Sequence, residues 1–287
     1  MRIKNGMRQY SGVADSPPRS CDTLRMIMAY ISLLLYCVAA GVLVWSLRKQ
    51  ATDSNRGWLP IVILALLFHG EVHAEAWRSL RGFDLQFYSS RSLTALGMAA
   101  LTTALAFRGR MAALGILMYP MAGLLALLYA SQGHGHPTRL DWQLQLHAWC
   151  AIAAYITLAV ATLIALLLWF QERALRRHAV HAWTRFLPPL TELERLLFEV
   201  ILVGYVLLTA TLVTGVVFVH DLFAQHIVHK TVLSVLSWAV FGVLLIGRWR
   251  YGWRGARAVR WTLAAMVLLL LAYFGTQFVR ELILKRA

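Results

Sequence analysis

Eight long apolar runs alternate with short polar segments along the chain, at about Met26–Leu47, Trp58–Glu75, Ser92–Phe107, Met111–Ala130, Leu144–Phe170, Leu197–Val219, Thr231–Gly247 and Val259–Phe278. Most approach the roughly 20 residues that a helix needs to cross about 30 Å of hydrocarbon, and the second and third are the shortest. Lipid offers no water to unpaired backbone groups, so such runs must close their hydrogen bonds internally, as helices. The pattern predicts an all-α fold, a polytopic membrane bundle of about eight transmembrane helices. The longest interval, Gln171 to Leu196, leaves no room for a soluble domain of ordinary size. Within it, Pro188-Pro189 is followed by Thr191-Glu192-Leu193-Glu194, a capping-box pattern that predicts the start of the sixth helix at Thr191.

Composition agrees with the pattern. Of 287 residues, 59% are hydrophobic and 14% charged, with mean hydropathy +0.61. The formal charge of +15 could suit nucleic acid, but the basic residues sit in short loops between runs, where membrane topology accounts for them better. One alternate set of loops holds Arg48, Lys49, Arg56, Arg108, Arg110, Arg173, Arg176, Arg177, Arg185, Arg195, Arg248, Arg250, Arg254 and Arg257. The other internal set holds only Arg78, Arg81, Arg91, Arg139 and Lys230. The positive-inside rule then places the first set in the cytoplasm and both termini outside. Arg2, Lys4, Arg8, Arg19 and Arg25 oppose that orientation, and residues 1–25, rich in Ser, Pro and charge, are read as a disordered or mis-assigned extension ahead of a membrane domain over 26–287. A signal peptide fits less well, because the apolar run that follows is too long and lacks a clear cleavage site. Cys21, Cys37 and Cys150 form no C-x-x-C pair, so thiol redox chemistry has no motif.

In this orientation His69, His73, His134, His136, His147, His220, His226 and His229 fall at or near the outer face, leaving only His178 and His181 on the other side. Imidazole is an axial ligand for haem iron and also binds divalent metals, so the bias points to a cofactor or metal site. Each residue also has a plain reading. His69 and His73 share a helix face and could be two interfacial residues, and His69-Gly70-Glu71-Val72-His73 is not the zinc-protease motif. His147 continues at helical spacing into Cys150, Ala151 and Ala154, small residues that admit a flat macrocycle or another helix. His229 stands beside Lys230, a cation suited to a haem propionate or to snorkelling toward headgroups. Gly204, Thr211 and Gly215 form a small-residue strip that serves either helix packing or a ligand groove. The turn from Arg248 to Arg257 is basic and aromatic, and its shortness between two spans favours anionic headgroups over nucleic acid. Glu71, Glu75 and Glu199 are too few for a proton-coupled carrier.

A further set of residues carries a resemblance. Leu187-Pro188-Pro189-Leu190, Glu194, Phe198, Gly204, Thr209, Gly215, His220-Asp221-Leu222-Phe223, His229-Lys230, Trp238, Gly252-Trp253-Arg254-Gly255 and Ala272-Tyr273-Phe274-Gly275 together resemble the CcsA/CcmC cytochrome c assembly family, in its YpjD/HemX-like inner-membrane branch. The resemblance covers roughly residues 26–282. It implies a bacterial inner-membrane bundle without enzymatic activity that holds haem near its periplasmic face, with partners among cytochrome c assembly proteins, contact with membrane lipid and none with nucleic acid. His147 matches the family's outward-facing histidine, His69 a histidine of an early span, and His229-Lys230 the same pair in that branch. The expected axial candidates for haem iron are therefore His69, His147 and His229, with Lys230 as propionate partner and His73, His220 and His226 as secondary candidates. The family's tryptophan-rich outward loop is replaced here by Val219–His226 without tryptophan, which implies holding haem rather than presenting it. The alternatives from other classes are a divalent-metal transporter or efflux accessory and a cofactor-free membrane regulator of haem biosynthesis.

Overall fold

The structure, a computed structural model, describes residues 19–48, 56–80, 87–108, 112–132, 141–177, 188–218 and 225–275. Eight α-helices follow one another among them: α1 Arg19–Arg48, α2 Trp58–Leu80, α3 Phe87–Arg108, α4 Ala113–Ser131, α5 Trp142–Arg176, α6 Leu190–Phe218, α7 Gln225–Tyr251 and α8 Ala256–Leu270. A π-helical turn over Leu271–Gly275 continues α8. The all-α membrane bundle predicted from the apolar runs is what forms, and seven helices are long and apolar enough to span a bilayer. The exception is α3. Its lower hydropathy comes from Ser89, Ser90, Ser92, Thr102 and Thr103, all buried against neighbouring helices rather than turned to lipid. It still runs the height of the bundle: Ser92 meets the α2 histidines, while Phe107 lies under Arg56 at the other end, with the guanidinium 4.7 Å from its ring centroid. The helices thus alternate in direction, and the start of α1 and the end of α8 lie at the same end of the bundle.

Two groups of helices can be distinguished. In the first, α1 packs on α2 and α4, and α3 packs on α4 and α2; in the second, α5 packs on α6 and α8, and α7 on α8. The two are joined chiefly by α3 against α5, with Met98 of α3 and Met118 of α4 entering the core around Leu158, Ile164, Leu197 and Phe241. Serine hydroxyls tie helices across the core, Ser32 donating to the Ala65 carbonyl (3.2 Å) and Ser237 to that of Ala265 (2.8 Å). These bonds serve packing where lipid provides no hydrophobic drive between helices. The strip of small residues on α6 faces α5: a Cβ on Gly204 would collide with the Leu158 side chain, and one on Gly215 would come 3.2 Å from Cε1 of His147.

The start of α6 differs from the capping-box expectation. The helix begins at Leu190, and the amides of Glu192 and Leu193 bond the Pro189 carbonyl at 3.0 and 3.1 Å, so Thr191 is already inside the first turn. Glu194 does not reach back to its own helix; its Oε1 accepts the Gly255 N–H at 2.8 Å. An unsatisfied amide and the positive end of the α8 dipole attract that carboxylate more strongly than the α6 start. Gly252 and Gly255 take φ values of 63° and 56°, in the left-handed region, and so form the tight α7–α8 turn. Trp253 packs on the bare backbone of Gly247.

A Cβ on Gly123 of α4 would stand 2.7 Å from the Leu33 Cα of α1, a backbone atom that cannot swing aside. Gly123→Val is expected to cost about 1–3 kcal/mol through overpacking, read as a lower thermal unfolding midpoint in detergent.

Candidate functional site

On α2, His69 and His73 lie one helical turn apart and both turn toward α3. The Ser92 hydroxyl bridges them, 3.0 Å from Nε2 of His69 and 3.0 Å from Nε2 of His73. On its other side His69 Nδ1 meets the Tyr36 hydroxyl of α1 at 3.4 Å, and His73 stacks on Tyr129 at 4.9 Å between ring centroids. A serine hydroxyl has one proton, so at most one of the two imidazoles accepts from Ser92 and at least one donates to it. His69 is 0% exposed, with both ring nitrogens engaged. Next to this group, Arg78 pairs with Glu71 at 2.5 Å and Glu75 at 2.7 Å, so the carboxylates noticed in the sequence are neutralised by a neighbour on their own helix.

His147 has a different setting. It stands in the second turn of α5, where its Nδ1 lies 3.1 Å from the Thr214 hydroxyl of α6. That hydroxyl donates to the carbonyls of Ala210 (2.8 Å) and Thr211 (3.0 Å). With its proton directed to those carbonyls, Thr214 is placed to accept from Nδ1–H, the tautomer in which Nε2 keeps a lone pair for a ligand, and the ring also bonds the Thr211 backbone. Histidines that ligate metals are oriented in this way, by a bond at the other nitrogen.

His147 lines a cavity of about 560 Å³, bounded by α3, α4, α5, α6, α7 and the end of α8. The volume falls in the range of cofactor-sized sites, about 300–1,000 Å³. Its walls are mainly apolar or small, including Ala148, Ala151, Leu208, Leu212 and Gly215; of the small-residue face expected on α5 only Ala151 opens onto it, while Ala154 is packed in the core and Cys150 does not line the cavity. The polar lining gathers His147, Arg91, Lys230 and Tyr273 among a few hydroxyls. Tyr155 crosses the wall and donates its hydroxyl to the Leu269 carbonyl at 2.7 Å, and its ring sits 5.3 Å from that of Tyr273. The π turn re-aims Tyr273 at the end of α8, where its hydroxyl is bonded to Ser90. Single π turns of this kind mark functional sites often.

The structure therefore separates the sequence candidates. His147 and Lys230 share the cavity, whereas His69 and His73 belong to the Tyr36–Ser92 network and do not line it. His229 and His226 lie in the first turns of α7, where only the backbone is described, and His220, His134, His136, His178 and His181 lie outside the described residues. Among the described residues no three His, Cys, Asp or Glu side chains come together as a metal site would require. Arg91, Thr214, Ser92 and Tyr273 were not legible as site residues. Arg91 read only as a loop charge, and Thr214 meets its partner across 67 positions of chain.

Ser92→Ala is expected to destabilise the fold by about 1–3 kcal/mol, because it removes the partner of the buried His69 Nε2. Thermal unfolding of the purified variant checks this.

Comparison with known proteins supplies the remaining finding. The sequence model of the family described as cytochrome C assembly protein matches residues 26–284. The chain is 32% identical over 269 residues to the inner membrane protein YpjD of Escherichia coli K12, covering 90% of this chain and 99% of that protein. It is 38% identical over 143 residues to an uncharacterized 28.8 kDa protein in a nifR3-like 5′ region of Azospirillum brasilense, covering 49% of this chain and 53% of that one. No solved structure matches.

Proposed function

The chain belongs to the cytochrome c assembly protein family, and from that premise we propose that it is a non-enzymatic, multi-pass protein of the bacterial inner membrane that binds haem in the His147 cavity and acts in cytochrome c assembly or a related haem-handling step. The observation that carries the reading is the Thr214–His147 bond, which leaves Nε2 of a cavity-lining imidazole available for a ligand. The residues present fit the group: an axial donor, an apolar body of sufficient volume, and two cations, Arg91 and Lys230, for carboxylates. Bound there, haem would supply an iron centre for axial ligation and one-electron chemistry. His147 would hold the iron and Thr214 its tautomer, and His229, adjacent to Lys230, is the candidate for a second ligand. His69 instead holds α1, α2 and α3 together through Tyr36 and Ser92. The positive-inside rule places the cavity end of the bundle at the periplasmic face and the arginine-rich turns in the cytoplasm. The likeness to the inner membrane protein YpjD supports the location.

Purified from haem-replete cells, the protein is expected to show a Soret band that His147→Ala abolishes. Thr214→Val weakens it, and Arg91→Gln and Lys230→Gln each raise the haem dissociation constant about tenfold. A chain that stays colourless after reconstitution overturns the reading, and stoichiometric divalent metal without a Soret band favours a metal accessory instead.

A further inference from the structure

The end of the bundle away from His147 holds a second cavity, of about 530 Å³, where the end of α5 and the start of α6 meet the α7–α8 turn. Its charged lining consists of Glu172, Glu194, Arg176, Arg254, Arg257 and Arg260, four guanidiniums against two carboxylates. Both carboxylates face inward. Glu194 holds the Gly255 N–H at 2.8 Å, and Glu172, bonded to Arg176 at 2.6 Å, has its oxygens 3.6 Å from where a Cβ on Gly255 would stand. The protein's own acids thus satisfy the amide end of α8, and the positive surplus lies on the outer rim. Arg254, Arg257 and Arg260 are all exposed, and none pairs with a carboxylate among the described residues. Arg257 lies over Trp253 at 5.4 Å, and Arg260 Nε donates to the Ala256 carbonyl at 3.3 Å.

The turn that carries these arginines is fixed. Trp253 N–H bonds the Gly247 carbonyl at 3.2 Å, and Arg248 Nη1 donates to the Trp253 carbonyl at 3.2 Å. Running up to the turn on α7 is an apolar flank open to its surroundings, with Val243, Ile246 and Trp249 exposed by 43%, 57% and 82%. A free anion has no use for that flank, but acyl chains do, and tryptophan at this depth is typical of the membrane–water interface. We propose that this groove is a headgroup site for an anionic phospholipid, with the phosphate diester among Arg254, Arg257 and Arg260 and the acyl chains along Val243, Ile246 and Trp249. Clusters of basic residues just beyond a span recognise such headgroups by charge. The site is independent of the haem cavity.

The test uses the full chain in detergent, titrated with phosphatidylglycerol, phosphatidylcholine or inorganic phosphate and followed by native mass spectrometry. Phosphatidylglycerol is expected to be retained over phosphatidylcholine, and the triple variant Arg254→Gln, Arg257→Gln, Arg260→Gln to lower that retention about a hundredfold. A control at the same end, Arg56→Gln with Arg195→Gln, is expected to leave it unchanged. If the triple variant fails to fold, Arg254→Gln alone is expected to lower retention about fivefold. Equal retention of the two lipids, equal loss in the control, or displacement by equimolar inorganic phosphate overturns the proposal.

Discussion

The contact between α5 and α6 is the constraint from which the other arrangements follow. At about 1.5 Å per residue the 35 residues of α5 extend roughly 50 Å, longer than a bilayer core, and α6 lies against it. That approach is possible because α6 presents Gly204 to Leu158 and Gly215 to His147. At the far end, Gln171 of α5 donates to the Pro188 carbonyl at 3.1 Å and anchors the start of α6. With the pair set, Thr214 comes opposite His147, and Glu194 comes within reach of the α8 turn. The His147 cavity and the basic groove lie at the two ends of one helix pair.

Much of this was legible in the sequence, and the reasons differ by element. The spans were readable because burial in lipid writes a long apolar run directly into the chain. The second and third runs read short, and α3 stays the weaker because its serines and threonines are buried inside the bundle rather than excluded from it. His147 and Lys230 each stood out singly, His147 by the small residues after it and Lys230 by its place at the mouth of a span, but not that they line one cavity. Arg91 and Thr214 were not, because what matters about them is a partner on another helix, and one sequence carries no register between helices. The capping box misled for a similar reason. Local spacing permits Glu194 to cap its own helix, but a more needy amide lies across the bundle at Gly255.

The two histidine groups show how hydrogen bonding sorts chemically identical side chains. His69 has a hydroxyl at each nitrogen and no exposure, an arrangement suited to joining three helices. His147 has one nitrogen held by a hydroxyl whose proton is already committed elsewhere. Burial alone would rank His69 as the more unusual residue. Counting protons ranks His147 as the one equipped to accept a ligand.

The junction of the two helix groups gives the cavity a mechanical character. Its walls come from both, α3 and α4 on one side and α5 to α8 on the other, and α3 against α5 is the chief joint between them. A chamber enclosed by a single rigid group can change volume only by loosening that group's packing. One that lies along a joint depends on the packing across it, here on Met98 and Met118 where they enter the core of the second group. Tyr155 and Tyr273 pair within the second group, and the Tyr273 hydroxyl reaches Ser90 of α3, so this side chain ties the π turn to the joint itself.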